Sequence, residues 1–430
     1  MPVRDHFVSK HFKGTQQVIK TKKDEENILA DITSSPLFSS NTTKQQPQQQ
    51  QEKTIMEREI FEQVESLQRT MKGRVDFQKK SVFLEELQHG TADILRCKRI
   101  IVIGSGSSHH VAMSTRQLME EMVELPVFIE LASDFLDREV PIFRNDVCIF
   151  LSQSGETTTV VESCRYCLKH EALTIAVTNS ADSTLSKMSD FVLDINAGKE
   201  HGITSTKTYT SQFMVMTLIS LHLAYDKRPK KTRIEQIIEE MEHLPQKITT
   251  VLSETEKYRK TALAMKDEES ILVMGRGYQQ GTCQEGSFKF KEVTGIHSEG
   301  IHSGELKHGP LALIDDQIPI IMIVMRDSIY DKCCNAIQQV KARGGRPVLI
   351  CENEDTETRK WADTVLGIPK TIDCLAGILT VIPLQLLSVY LAESMNKNVD
   401  HPPALVKSVV EKYIPNNRLS WDGCYLFLFF

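Results

Sequence analysis

The 430-residue chain is long enough for two or three domains. Its content of 40% hydrophobic and 25% charged residues is typical of a soluble globular protein, and a formal charge of −6 excludes the basic field on which nucleic-acid binders depend. The ten cysteines lack paired spacing apart from Cys164 and Cys167, which lie in a helix-like segment. With no secretory leader expected, we predict reduced thiols, a cytoplasmic location and no membrane span, because the longest apolar stretch, 375–387, is too short.

The first part of the chain differs from the rest in composition. Residues 34–53 are rich in Ser, Thr and Gln and have few apolar anchors, so we expect a flexible linker within a remnant segment, 1–55. A helical lead-in is predicted over 56–90, because apolar residues recur there at helical spacing.

Short apolar runs then alternate with helix-like segments, first between 91 and 230 and again between 262 and 403. Continuous apolar strands between helices are typical of a parallel sheet covered on both faces. The sequence therefore predicts an α/β fold with two similar domains, joined by a helical connector at 231–261 and followed by a tail at 404–430.

Three loops rich in hydroxyl side chains follow strands of the first predicted domain. The segment SQSGET, Ser152–Thr157, combines hydroxyls with a glycine before a helix, a composition suited to binding phosphate. Capping of the helix by Ser or Thr is the alternative explanation. The loops at 104–110 and 204–208 are similar, and all three could converge on one small anion.

The second predicted domain contributes titratable groups. Glu285, Lys289 and Glu292 share one helix face, where a solvated row of ion pairs is the alternative to a functional cluster. His308 precedes Gly-Pro on a turn and could transfer protons near neutral pH. Lys407 lies in an apolar segment, where it could form a Schiff base or simply extend to solvent.

Together these motifs resemble one family. SQSGET, the STK-x-YTSQ run, the EG-x-x-K-x-KE helix, GELKHGPLALI and PLQLL are similar to glutamine–fructose-6-phosphate aminotransferase (isomerizing), over about Glu57 to Ser408. The resemblance implies two tandem SIS domains, each a parallel sheet flanked by helices in a flavodoxin-like three-layer αβα arrangement. It also implies formation of glucosamine 6-phosphate from fructose 6-phosphate, in UDP-N-acetylglucosamine synthesis, without a metal or organic cofactor.

The resemblance also implies roles for individual residues. Glu292 would move the proton between C1 and C2, Lys407 would form the Schiff base, and Lys289 would support charge. His308 would assist ring opening from the neighbouring subunit of a homodimer. The residues expected to hold the 6-phosphate and the sugar are Ser108, Ser152, Gln153, Ser154, Thr157, Ile203 and Ser205.

The sequence departs from the family pattern in four places. Pro2 follows Met1 and the first cysteine is Cys97, so we expect no glutaminase domain, and amination would need ammonia or a glutaminase-bearing partner chain. The first turn reads GSGSSHH with Ser105 in place of the family's cysteine, and the third loop reads ITSTK for VASTK. The tail reads PPALVKSVV for PRNLAKSVT and continues for about twenty residues, which could obstruct closure or shift Lys407.

Three interpretations follow. The chain is an enzyme acting on fructose 6-phosphate, a non-catalytic sugar-phosphate-binding regulator, or a partner subunit of a full-length homologue. Joint retention of Lys289, Glu292, His308 and Lys407 favours the enzyme, whereas the altered tail favours the regulator.

Overall fold

The computed structural model describes residues 53–402 together with Leu405 and Lys407. The predicted linker at 34–53, apart from Lys53, and the predicted extension beyond Lys407 lie outside the described residues. The part before the first sheet comprises α1 Ile55–Phe61, α2 Gln63–Met71, the hairpin of β1 Val75–Asp76 and β2 Ser81–Val82, and α3 Thr91–Ile94.

The first sheet domain alternates strands with helices, as the apolar runs predict. Its elements are β3 Arg99–Gly104, α4 Ser107–Val123, β4 Val127–Leu131, α5 Ala132–Asp137, β5 Asp146–Leu151, α6 Thr158–Lys169, β6 Leu173–Thr178, α7 Thr184–Met188, β7 Phe191–Asp194 and α8 Lys207–Leu223. The five strands are all parallel, in the order β4-β3-β5-β6-β7.

The second sheet domain repeats this layout after two connecting helices. The elements are α9 Lys231–Leu252, α10 Thr255–Leu263, β8 Ser270–Gly275, α11 Gln280–Thr294, β9 His297–His302, β10 Ile320–Val324, α12 Tyr330–Ala342, β11 Val348–Glu352, β12 Thr364–Ile368 and α13 Ala376–Ser394. Its strand order is β12-β11-β10-β8-β9. Read from the opposite edge, with the strands of each sheet numbered from one, this is the order of the first sheet. The internal duplication predicted from the sequence is therefore present in the topology.

Successive residues of a central strand face opposite layers of the core. In β3, Ile100 and Val102 join the core shared by the two domains, whereas Ile101 and Ile103 pack against α5 and α6 on the outer face. Both faces of the sheet are thus covered, which explains why the strands are continuous apolar runs rather than alternating ones.

Helix α13 lies in the shared core. Every residue from Ala376 to Ala392 is buried, including Pro383 within the helix. The segment Asp373–Ser394 is long and apolar enough to cross a membrane by composition, but the whole of that apolar window is buried against protein. It is accordingly a core helix that contacts α1, α9, α10 and α11.

Candidate active site

A cavity of about 250 Å³ opens at the carboxyl edge of the first sheet, where the strand order changes direction between β3 and β5. Ligands of open parallel sheets bind at such points, because the loops after neighbouring strands diverge there. Nine of the eleven predicted site residues line this cavity: Ser108, Ser152, Gln153, Ser154, Thr157, Ile203, Ser205, Glu292 and Lys407. Five segments that are separate in the sequence therefore contribute residues to one cavity.

The loop after β5 is held by its own hydroxyl groups. Ser152 Oγ accepts the Gly155 N–H at 3.0 Å and lies 3.0 Å from Thr157 Oγ1, and Ser154 Oγ accepts the Glu156 N–H at 3.2 Å. Thr157 has the capping position of α6, yet its hydroxyl bonds to the loop. The hydroxyls thus shape a turn, which fits anion binding better than simple helix capping.

Gly155 allows this turn to form. Its φ is +65°, and a Cβ there would lie 2.1 Å from Ser183 Oγ. Any other residue would meet both backbone strain and a collision.

The loop after β3 connects the two domains. Ser108 Oγ donates to Gln212 Oε1 on α8 at 3.0 Å, while Ser107 Oγ donates to Glu285 Oε1 on α11 at 2.9 Å. Helix α11 therefore brings its charged face against the cavity of the first domain.

The charged face of α11 is buried, so its interpretation as a solvated row of ion pairs is wrong. Lys289 and Glu285 have fully buried side chains, with Lys289 Nζ 3.1 Å from Glu285 Oε1 and 2.6 Å from Glu292 Oε2. His110 Nδ1 lies 2.8 Å from Glu285 Oε2. Lys289 lies behind Glu292 rather than in the cavity wall, and Glu292 is the member of the cluster that lines the cavity.

The two carboxylates of the cluster have pKa values shifted in opposite directions. Burial acts to raise the pKa of Glu285, but the charges of Lys289 and His110 outweigh burial and hold that pKa below its ordinary value. Burial raises the pKa of Glu292, and Lys289 only partly opposes this. A carboxylate with a raised pKa in a cavity is suited to accepting and returning a proton.

Lys407 enters the cavity from the opposite side. Its Nζ lies 3.1 Å from Glu200 Oε2 and donates to the Gly202 carbonyl. Glu200 lies just before the third hydroxyl loop, in the segment that also supplies Ile203 and Ser205. Lys407 therefore faces a carboxylate, and its interpretation as a lysine extending to solvent is wrong, since its side chain is only 27% exposed.

His308 is the predicted site residue that the structure places elsewhere. It is the exposed last residue of the 3-10 helix Ser303–His308, which follows β9, and it does not line the cavity. Its assignment to the site of a neighbouring subunit remains a prediction.

Sequence reasoning did not single out Ser107, His110 or Glu200 as functional. Ser107 and His110 lie within the GSGSSHH turn, but only the docking of α11 shows that they meet Glu285. Glu200 has a detectable signal, since it is the acidic residue that precedes the third hydroxyl loop.

The fold and the cavity define a class of protein, a tandem pair of parallel α/β domains with a cavity at the carboxyl edge of the first sheet. The SIS domain family matches residues 93–221 and 264–395, and the chain belongs to that family. The chain is 52% identical over 354 residues to glutamine–fructose-6-phosphate aminotransferase [isomerizing] 2 of Homo sapiens, which covers 82% of this chain and 52% of that protein. The corresponding enzyme of Saccharomyces cerevisiae is 43% identical over 359 residues, covering 82% and 50%.

A solved structure agrees with these relatives. The C-terminal domain of glucosamine-fructose-6-phosphate aminotransferase from Francisella tularensis superposes with a TM-score of 0.77 at 29% identity, covering 81% of this chain and 99% of that one. The chain spans about half the length of the curated relatives it matches.

Proposed function

We propose that the chain binds fructose 6-phosphate in the cavity and catalyses its isomerisation, and with an ammonia source forms glucosamine 6-phosphate. The observation that carries this proposal is the placement of Glu292 and Lys407 in one cavity whose wall also includes residues of the three hydroxyl loops. The relatives' names support the substrate, because they are called fructose-6-phosphate aminotransferases.

Each part of the cavity has a proposed task. The phosphate binds against Ser152, Gln153, Ser154 and Thr157, together with Ser108 at the start of α4, where backbone N–H groups and the helix dipole favour an anion. The backbone of Ile203, with Ser205, fixes the sugar. Phosphate binding thus orients the carbonyl end of the open chain toward the charged residues.

The chemistry follows from the orientation. The amine of Lys407 attacks C2 of the open-chain ketose and forms a Schiff base, which ammonia displaces when amination occurs. Glu292 takes a proton from C1 and returns it to C2, and Lys289, 2.6 Å away, stabilises the charge that develops. The residues require no cofactor for these steps.

Two further properties belong to the proposal. Ring opening is assisted by His308 of a second copy in a homodimer, since His308 is exposed and apart from the cavity of its own chain. We also propose a cytoplasmic location, because the nine cysteines among the described residues are free thiols and a reducing compartment keeps them so.

The test is to incubate the purified protein with fructose 6-phosphate, with and without ammonium, and to quantify glucose 6-phosphate and glucosamine 6-phosphate. We expect turnover that Glu292→Gln lowers by about a hundredfold or more. Glu299→Gln, at an exposed position on β9, is the matched control and should retain full activity. Unchanged turnover in Glu292→Gln would contradict the assignment of the base.

A second candidate function is a regulator that binds the sugar phosphate without converting it. This function is considered because Lys407 already forms an ion pair with Glu200. Binding of fructose 6-phosphate without either product would favour the regulator.

A further inference from the structure

The amine of Lys407 lies against a carboxylate in the wall of the cavity. A protonated ε-amine carries no lone pair, so the ammonium must lose a proton before the nitrogen can attack a carbonyl. The carboxylate nearest to the amine among the described residues is that of Glu200, at 3.1 Å. Proton transfer over this distance needs no movement of the backbone.

Glu200 is held firmly in the wall of the cavity. Its side chain is 1% exposed, and its carboxylate accepts the Thr206 N–H at 3.0 Å, the Thr208 N–H at 3.3 Å and the Thr208 hydroxyl at 2.8 Å. These donors precede and begin α8, so a purely structural role as a helix cap is the alternative explanation. Capping of a helix does not require a lysine, however. Glu200 Oε2 accepts hydrogen bonds from both the Thr208 hydroxyl and Lys407 Nζ.

Further charges surround the pair. Glu59 of α1 accepts the backbone N–H groups of His201 and Gly202, and burial followed by the charge of Glu200 raises its pKa. On the far side Lys207 pairs with Glu62 and donates to the Lys199 carbonyl. The loop that presents Glu200 is thus fixed by ion pairs and hydrogen bonds.

We propose that Glu200 is the acid–base partner of Lys407. It takes one proton from the ε-ammonium as the neutral amine bonds to C2 of the ketose. The bonded nitrogen gives a second proton to the C2 oxygen, which becomes a hydroxyl, and Glu200 returns the first proton to that hydroxyl. The hydroxyl leaves as water and the protonated Schiff base forms, so one ammonium and one carbonyl give one iminium and one water. This inference rests on the proposed function, because it needs Lys407 to bond to the substrate.

The test traps the Schiff base. The protein is incubated with fructose 6-phosphate and sodium cyanoborohydride, and the sugar-phosphate adduct on the peptide containing Lys407 is quantified over time by mass spectrometry. We expect Glu200→Gln to slow trapping about a hundredfold at neutral pH. The deficit should shrink in alkaline solution, because hydroxide then removes the proton that the carboxylate would otherwise take.

Two variants separate this role from helix capping. Glu200→Asp keeps the carboxylate and should restore part of the neutral-pH rate. Glu239→Gln makes the same change in the exposed Lys80–Glu239 pair, which does not line the cavity, and should leave trapping unchanged. Thermal unfolding and fructose 6-phosphate binding measured on each variant show that the fold and the phosphate site are intact.

The outcomes of this test distinguish a failure of the proposed role of Glu200 from a failure of the proposed function. Trapping in the unaltered protein that is lost in Lys407→Ala supports the Schiff base. If Glu200→Gln then traps at the unaltered rate, or with a deficit that does not change with pH, the acid–base role is overturned while the function stands. Absence of any adduct on Lys407 in the unaltered protein overturns the Schiff base and the inference together.

Discussion

Replacing Lys289 by methionine removes the cation from a fully buried cluster. Lys289→Met keeps the length of the side chain and its helix propensity, but it leaves Glu285 and Glu292 without their shared partner. Breaking a buried ion pair by removing one member costs about 3–5 kcal/mol. We expect the lower end, about 3 kcal/mol, because His110 and Ser107 still contact Glu285 and because Glu292 retains 16% exposure.

The pH dependence of this loss has a definite sign. In the unaltered protein the lowered pKa of Glu285 contributes stability above the ordinary carboxyl pKa, and this contribution is lost as the pH falls through the folded value. In the variant both carboxylates are buried without the lysine, so their folded pKa values rise above the unfolded ones. The penalty is then smallest in acid and grows as the pH rises through the raised values.

The assay is chemical denaturation of Lys289→Met at about pH 5 and about pH 8. Lys291→Met, on the exposed face of the same helix, is the matched control and should change the free energy of unfolding by less than about 0.5 kcal/mol. A Lys289→Met protein as stable as this control at both pH values would refute the reasoning that the lysine holds the two carboxylates.

Three other outcomes are expected. The acid limb of kcat/KM should lie above the ordinary carboxyl pKa, because the base Glu292 must be ionised and burial raises its pKa; activity that stays constant down to about pH 5 would contradict this. Ser152→Ala should weaken fructose 6-phosphate binding about tenfold in calorimetry, since the hydroxyl both shapes the loop and faces the phosphate; unchanged affinity would contradict its role. Gly155→Ala should lower the melting temperature more than Gly73→Ala. Both glycines have a positive φ, but only a Cβ added at Gly155 would collide with another side chain, that of Ser183. Equal losses in the two variants would show that backbone strain alone matters.

The sequence predicted the central strands well because their burial leaves a strong signal. The runs RIIVI and SILVMG become β3 and β8, and both sheets take the parallel order expected of βα repeats. The strand β9 was not predicted, since HSEGIH is an edge strand with polar side chains and lacks a continuous apolar run. The short hairpin β1–β2 lies within 56–90, where the sequence predicted helix.

The site was predictable where one loop carries the information, and not where two distant segments meet. SQSGET by itself indicates an anion loop. The contact between Ser107 and Glu285 spans 178 positions, and that between Lys407 and Glu200 spans 207. Such contacts depend on how α11 and the third loop dock, which residue spacing does not encode.

The position of α13 has a consequence for how the protein is made. The amide of Gln63 bonds to Gln385 Oε1 on α13 at 2.9 Å, across 322 positions of the chain. At a synthesis rate of about 5–20 residues per second, roughly 16–64 s pass between the appearance of the two partners at the ribosome. Once α10 and α11 have been made, their inner faces lack the apolar helix that covers them until α13 follows, so the unfinished chain exposes apolar surface. A substitution that slows the docking of α13 would then reduce the yield of folded protein in cells more than it reduces the stability of the protein once folded.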